Sequence, residues 1–358
     1  MRFALDIWFW FSLARLAAGG VPGTVNILDF GATPNDGKDD SAAIQAAFNS
    51  IDPMQGGTVI CPPGTYDIST PIVVTSNAVR FAGLSGPSYN EDIPYAGCTL
   101  VAHTDHMTLL QFRSTSLNQH GPVVEYINLR DATPSGHSAT LLHIVNFNRW
   151  TARNVSVSYA DTGLRVTGTD DASWGYVSQF FCKEANTCID QATVEGGFVV
   201  LGGGFEPLAT GIRVRGSQVR IVATKFDCIN GSTGVYITGH GDVVADSAFE
   251  QCGTGVAVRD DASMPWNGDQ NRLIANHFNG SAISTSRGIS LGSGADGNQL
   301  IGNTYEFPAV NVEDFGQRNL RLEQGMGVDV NLSCPQGQAI RALTLRQGIV
   351  TGVNCGAP

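Results

Sequence analysis

The sequence predicts an all-β fold, a right-handed parallel β-helix (a solenoid) with an N-terminal capping helix. Three observations favour it: 43 glycines among 358 residues, a strand motif that recurs about every two dozen residues, and one short amphipathic segment near the N-terminus. Turn-rich, glycine-rich sequence with few long helical patterns is typical of all-β proteins. Repeats of this length indicate units stacked along a single axis.

Residues 1–20 are interpreted as a signal peptide or a linker that precedes the fold. An apolar run from Phe3 ends at the small residues Ala17 and Ala18, as in a signal peptide. The run is too short and too interrupted to span a bilayer. Asp6 and Arg15 fit a signal peptide poorly, so a linker is the alternative.

The segment 24–85 begins with a strand and a polar turn and continues into a predicted helix at about residues 41–51. Within this helix Ile44, Ala47, Phe48 and Ile51 recur at the spacing of one helical face. The open end of a solenoid exposes its core and unpaired strand edges, so an amphipathic helix is needed to cover it.

The same segment carries five short motifs in a fixed order. They are D-F-G-A at 29–32, D-G at 36–37, D-D-S at 39–41, A-I-Q-A-A at 43–47 and G-G-T-V-I-C-P-P-G-T-Y at 56–66. This order resembles the entry segment of the pectate-lyase-like superfamily. That superfamily includes polygalacturonase- and rhamnogalacturonase-like hydrolases, exo-glucanases and phage tailspike depolymerases. The resemblance implies a single-stranded β-helix that binds a polysaccharide.

The middle of the chain contains two repeated strand motifs. Thr-Gly-Ile/Val begins at Thr210, Thr233 and Thr254, and Arg287-Gly-Ile is a variant. The second motif ends on an aromatic residue, and its copies step by 24, 21, 23, 29 and 27 residues through Phe181, Phe205, Phe226, Phe249, Phe278 and Tyr305. Each step corresponds to one coil, so we expect a solenoid over 24–310 and a C-terminal cap or irregular coils over 311–358.

Alternation along the second motif predicts a column of carboxylates. If the aromatic side chains point inward, the next residue points outward, which aligns Glu206, Asp227 and Glu250 on three successive coils about 4.8 Å apart. Paired carboxylates are the acid/base groups of glycosidases, so these three are the predicted catalytic residues. The alternatives are solvated acidic side chains or a calcium site, since carboxylates suit that ion.

Four residues are predicted to bind substrate. Lys225 points to the same side as Asp227. The Thr-Gly strands present a second outward column, in which Arg213 and Tyr236 suit sugar rings and carboxylates; its predicted members are Arg165, Arg213, Tyr236, Ala257 and Ser290. His240 lies in a Gly-His-Gly motif like one of polygalacturonases, but the aspartate pair at 260–261 follows it in the wrong order, so that family's catalytic set is not transferred.

The eight cysteines are interpreted as four disulfides, and eight unpaired buried thiols are the alternative. Cys228 and Cys252 lie one coil apart, and Cys182 and Cys188 are close in sequence; the remaining proposed pairs are Cys61–Cys98 and Cys334–Cys355. Four N-x-S/T sequons accompany the even cysteine count, which favours an oxidising, extracellular setting and a secreted protein.

The net charge of −11 argues against nucleic acid or an anionic membrane as partner. The leading hypothesis is therefore a secreted polysaccharide hydrolase without a cofactor other than the calcium alternative. A lyase or epimerase acting on uronates is a second hypothesis. The third is a glycan-binding or tailspike-like adhesion protein. The tailspike version predicts a homotrimer, and the others a monomer.

Overall fold

The computed structural model describes residues 23–85, 97–115, 120–168, 174–192, 197–261, 268–280, 284–323, 339–346 and 349–356. The segment 1–20, interpreted above as a signal peptide or linker, lies outside these residues. In the described part, no helix is long and apolar enough to cross a membrane.

The helical elements are a 3₁₀ helix (Ile27–Phe30) and α1 (Ser41–Asn49). The strands of the first half are β1 (Thr24–Asn26), β2 (Gly57–Cys61), β3 (Gly64–Ile68), β4 (Ile72–Val74), β5 (Val79–Gly83), β6 (Cys98–Ala102), β7 (Thr108–Arg113), β8 (Val123–Asp131), β9 (Thr140–Val145), β10 (Thr151–Ser158), β11 (Thr162–Thr167) and β12 (Tyr176–Gln191). Those that follow are β13 (Val199–Val214), β14 (Arg220–Val222), β15 (Lys225–Asp227), β16 (Thr233–Ile237), β17 (Val243–Ala245), β18 (Ala248–Glu250), β19 (Thr254–Val258), β20 (Arg272–Ile274), β21 (His277–Asn279), β22 (Arg287–Leu291), β23 (Gln299–Ile301), β24 (Thr304–Glu306), β25 (Val310–Asp314), β26 (Leu320–Leu322), β27 (Ala339–Arg346) and β28 (Ile349–Gly356).

The strands β1–β26 form a parallel solenoid with three sheets, which confirms the predicted fold. Each coil passes through sheet A (for example β14, β17, β20), then sheet B (β15, β18, β21), then sheet C (β16, β19, β22), and pairs in parallel with the next coil. The pairing continues through β25 and β26, past residue 310. Strands β27 and β28 form an antiparallel hairpin.

A column of stacked aromatic rings fills the interior behind sheet B. Phe226, Phe249 and Phe278 pair in register, with ring centroids 4.7 and 4.8 Å apart. The repeat therefore brings equivalent positions together, as predicted. At the N-terminal end of the stack Phe180, not Phe181, lies against Phe205 with centroids 6.0 Å apart. Phe181 was the wrong choice because it points to the opposite face of its strand.

The aromatic column explains the glycine of the Thr-Gly motif. A Cβ on Gly234 would lie 2.5 Å from the ring of Phe249, and one on Gly255 would lie 2.4 Å from the ring of Phe278. A larger residue at these positions would displace the stacked rings. The glycine of one repeated motif therefore packs against the aromatic ring of the other.

Buried polar side chains form a ladder at the corner between sheets C and A. Asn271, Asn298 and Asn319 each accept a hydrogen bond from the backbone of the preceding coil, at 2.8 Å. Asp242 occupies the same position one coil earlier and accepts from the Val219 N–H at 2.8 Å. These side chains satisfy backbone groups that the corner removes from the sheet ladder.

The N-terminal end of the solenoid is covered as the sequence indicated. Helix α1 buries Ile44, Ala47 and Phe48, and the Phe48 ring contacts Phe81 and Phe112 of the first coils. Three predicted disulfides are confirmed: Cys61–Cys98, Cys182–Cys188 and Cys228–Cys252. The fourth prediction involves Cys334, which lies outside the described residues.

Candidate functional site

The predicted carboxylate column lies on the outer face of sheet B. Asp227 pairs directly with Glu250, and Glu206 follows Phe205, whose partner on the next coil is Phe226. The Nζ of Lys225 lies 3.6 Å from Asp227 Oδ2 and 3.1 Å from Glu250 Oε2.

Lys225 neutralises part of this column. The hydrogen bond from its ammonium group to Glu250, aided by the charges of both carboxylates, raises the pKa of Lys225 above its usual range. The side chains of Asp227 and Glu250 are 45% and 37% exposed. The structure therefore brings three of the predicted residues together as a solvent-exposed ion-pair cluster.

A second column of polar side chains follows the outer face of sheet C. It contains one residue from each of nine successive coils: Gln111, His143, Arg165, Asp190, Arg213, Tyr236, Ala257, Ser290 and Glu313. The register agrees with the prediction from the Thr-Gly motif. It adds Asp190, which the motif did not detect because Cys188 stands where the other coils have glycine.

A groove of about 660 Å³ lies over the centre of this column. We call it the sheet C groove. Its lining residues are Thr210, Arg213, Arg215, Thr233, Tyr236, Thr238, Asp260 and Asp261. Within the described residues, Arg213, Tyr236 and Asp260 have no ion-pair or side-chain hydrogen-bond partner. Three polar side chains without protein partners among the described residues therefore line one groove.

Ion pairs lie along one side of the groove. Asp190 is only 5% exposed, and its carboxylate lies 3.7 Å from the Arg165 guanidinium and 3.9 Å from that of Arg215. The two arginines thus flank the Asp190 carboxylate at ion-pair distance. Arg213 lies two residues before Arg215 on the same coil, next to Asp190 in the column, and has no ion-pair partner among the described residues.

His143 extends the column towards the N-terminus as a neutral imidazole. The amide Nε2 of Gln111 donates to His143 Nδ1 at 3.1 Å, so the ring hydrogen is on Nε2 and is donated to Thr167 Oγ1 at 2.8 Å. Burial and the nearby positive charges of Arg165 and Arg113 lower the pKa of His143 to about 4. At neutral pH this residue contributes hydrogen bonds and no charge.

The structure places two features of the polygalacturonase comparison relative to the groove. His240 lies in the turn after β16, and it is not among the residues that line the sheet C groove. Asp260 and Asp261, which the motif order excluded from the site, do line it. Only the path of the chain after β19 places them opposite Arg213, which motif order cannot reveal.

Among the described residues, no group of three or more His, Cys, Asp or Glu side chains is arranged to hold a metal ion. The calcium alternative for the carboxylate column remains a prediction from composition.

The three-sheet solenoid, with polar columns on its outer faces, is the architecture of the pectate-lyase-like superfamily. Residues 24–276 match the family described as rhamnogalacturonase A/epimerase, pectate lyase-like. The chain belongs to this family, which confirms the resemblance drawn from the entry segment. The description of this family names carbohydrate-active enzymes, a rhamnogalacturonase and an epimerase. No curated protein sequence matches the chain significantly.

Solved structures similar to this chain share its fold at low sequence identity. ORF18 of Geobacillus virus E2 has a TM-score of 0.63 at 15% identity, over 85% of this chain and 62% of that one. This chain therefore spans less than two thirds of the viral protein. DFA-IIIase from Arthrobacter chlorophenolicus A6, in complex with GF2, gives 0.60 at 16% identity, covering 87% and 86%. PfbA, a surface adhesin of Streptococcus pneumoniae, gives 0.55 at 15% identity, covering 84% and 89%.

Proposed function

We propose that the protein is an extracellular enzyme that hydrolyses a polysaccharide bound in the sheet C groove. The observation that carries this proposal is the meeting of Arg213, Tyr236 and Asp260 in one cavity without partners among the described residues. Polar groups converging in a concave site are typical of ligand-binding sites. The three disulfides support an extracellular location.

The lining residues suit the separate tasks of a glycosidase. The ring of Tyr236 provides a flat surface for a sugar, and the guanidinium of Arg213 can donate two parallel hydrogen bonds to a substrate carboxylate or hydroxyl pair. Asp260 and Asp261 are the carboxyl groups that line the groove, and the proposal assigns the acid/base chemistry to them.

In the proposed reaction, one carboxyl group donates a proton to the glycosidic oxygen as the bond from that oxygen to the anomeric carbon breaks. A water molecule adds to the anomeric carbon, and its proton passes to the other carboxylate. The products are two shorter glycans, and the enzyme returns to its starting protonation after proton exchange with solvent.

The test compares the two sets of carboxylates on one panel of rhamnogalacturonan, polygalacturonate, alginate and inulin. Reducing ends are measured for the native protein and for Asp260→Asn and Asp261→Asn, with Asp227→Asn, Glu250→Gln and Glu206→Gln as matched surface variants. Removing a general acid or base typically costs about 10²- to 10⁴-fold in rate, so we expect this loss in at least one groove variant.

Two outcomes would contradict the proposal. Loss of turnover confined to the Asp227, Glu250 or Glu206 variants would place the chemistry on sheet B, as the sequence first predicted. An unsaturated product that absorbs in the ultraviolet would indicate a lyase instead of a hydrolase.

A further inference from the structure

We infer that the sheet C groove is closed at the end nearer the C-terminus, so that the protein recognises the end of a glycan chain and acts from that end. This inference rests on the proposed site and adds its mode of action. It starts from a change in the outer face of sheet C, immediately after Tyr236.

The next two outward positions after Tyr236 are buried. Ala257 is 4% exposed and Ser290 is 1% exposed, although both belong to the same outward column as Arg213 and Tyr236. On the two preceding coils the same outward positions, Arg213 and Tyr236, are partly exposed. Other groups of the protein must therefore cover the face at these two coils.

The Arg259 side chain lies over Ser290 in this part of the sheet. Its guanidinium donates to the backbone carbonyls of Val258 at 2.9 Å and Ser290 at 2.7 Å, and to Ser290 Oγ at 3.0 Å. The Arg259 side chain thus lies flat across the column and uses its donors within the protein. A sugar ring cannot occupy the same place.

The next coil fixes this closure. Ser290 Oγ donates to Glu313 Oε2 at 2.8 Å, and Arg287 Nε lies 3.0 Å from the same carboxylate oxygen. The closed end is therefore a bonded network from Arg259 to Glu313. Side-chain motion alone would have to break several hydrogen bonds to open it.

The opposite end of the groove has a different surface. Arg165 and Arg215 hold the Asp190 carboxylate between them but keep 44% and 38% of their side chains exposed. A glycan can extend over these arginines towards the N-terminal coils. Asp260 and Asp261 directly follow Arg259, so the proposed acid/base groups stand at the closed end, where cleavage releases a short piece.

The first test compares viscosity loss with new reducing ends on each polysaccharide of the panel. An enzyme acting from chain ends releases one short product while viscosity falls slowly. A rapid fall in viscosity with a broad range of product lengths would overturn the inference and leave the proposed hydrolase intact.

The second test uses variants of the network. Arg259→Ala removes the cover, so we expect a several-fold rise in viscosity loss per reducing end formed. Arg287→Ala is the matched control, because it removes an arginine from the same network but away from the groove. An unchanged ratio in a folded Arg259→Ala protein would contradict the inference. If that variant does not fold, the viscosity and product lengths measured for the native protein still test whether the enzyme acts from chain ends.

A binding measurement separates this inference from the proposed function. The same polysaccharide is shortened by sonication, and binding capacity at equal mass is measured by calorimetry for both preparations. End recognition predicts that capacity rises in proportion to the number of chain ends, even if no cleavage is detected. Equal capacity would overturn the inference alone, and absence of binding across the panel would overturn both.

Discussion

The carboxylate column of sheet B and the sheet C groove are built by the same repeat but differ in how their charges are satisfied. On sheet B, Lys225 lies between Asp227 and Glu250, and the cluster stands on an open face. On sheet C, Arg213 and Asp260 face one cavity without partners within the described residues. Alignment of like residues therefore does not by itself distinguish a site from a solvated surface.

The two regions differ in how many hydrogen-bond donors and charges remain unpaired for a ligand to bind. An exposed ion pair is worth about 0–1 kcal/mol and leaves little binding capacity for a substrate. Arg213 has no ion pair or side-chain hydrogen bond among the described residues, so its guanidinium donors can bind a ligand. Three predictions test this contrast, in order of expected effect.

The largest effect concerns the disulfide beneath the sheet B column. Replacing both Cys228 and Cys252 by alanine opens a 24-residue loop and should lower the free energy of unfolding by roughly 3 kcal/mol. Well below the melting temperature, turnover should not change, because the bridge lies under sheet B and not under the groove. Denaturant unfolding and reducing-end assays measure the two quantities.

The matched control for this change is the double alanine variant of Cys182 and Cys188. The disulfide between these residues closes a loop of only six residues, so its removal should lower the free energy of unfolding by less. A loss of turnover in the folded Cys228/Cys252 variant would indicate that the adjacent carboxylates are catalytic after all.

The second prediction compares one cation from each region. Arg213→Met should reduce kcat/KM by about tenfold to a hundredfold, since hydrogen bonds to charged groups contribute about 1.5–3 kcal/mol. Lys225→Met removes a partly exposed ion pair and should change neither kcat/KM nor stability by more than about 1 kcal/mol. The reverse ranking of the two variants would exchange the roles of the two regions.

The third prediction concerns Asp242, which belongs to neither region. Burial raises the pKa of Asp242 well above its usual value, so its protonated form is the one the fold favours. Its contribution to stability is present at acidic pH and is lost as the pH rises through the raised pKa, by at most about 1.4 kcal/mol per pH unit. Asp242→Asn should remove this dependence, because asparagine occupies the same ladder position in the next three coils.

The measurement is the difference in unfolding free energy between the native protein and Asp242→Asn from pH 4 to pH 8. His143 titrates in both proteins and in the opposite direction, so it cancels in the difference. A constant difference across this range would contradict the prediction, because it would show that Asp242 has the same pKa in the folded protein and in the unfolded chain.

Much of the fold could be predicted from the sequence because a solenoid translates sequence spacing directly into spatial neighbours. Phe226, Phe249 and Phe278 stack where the repeat placed them, and Cys228 bonds to Cys252 for the same reason. The choice of Phe181 over Phe180 failed at an irregular coil, where a one-residue change in alternation reverses the face of the strand.

The candidate site could be predicted only in part from the sequence. The sequence by itself determined which residues form each outward column, since strand alternation and coil length are local properties. Only the tertiary structure decided that Arg259 lies over Ser290, and that Asp260 and Asp261 line one groove with Arg213. These contacts depend on where the chain runs after it leaves the repeating strands, and there no periodic pattern constrains it.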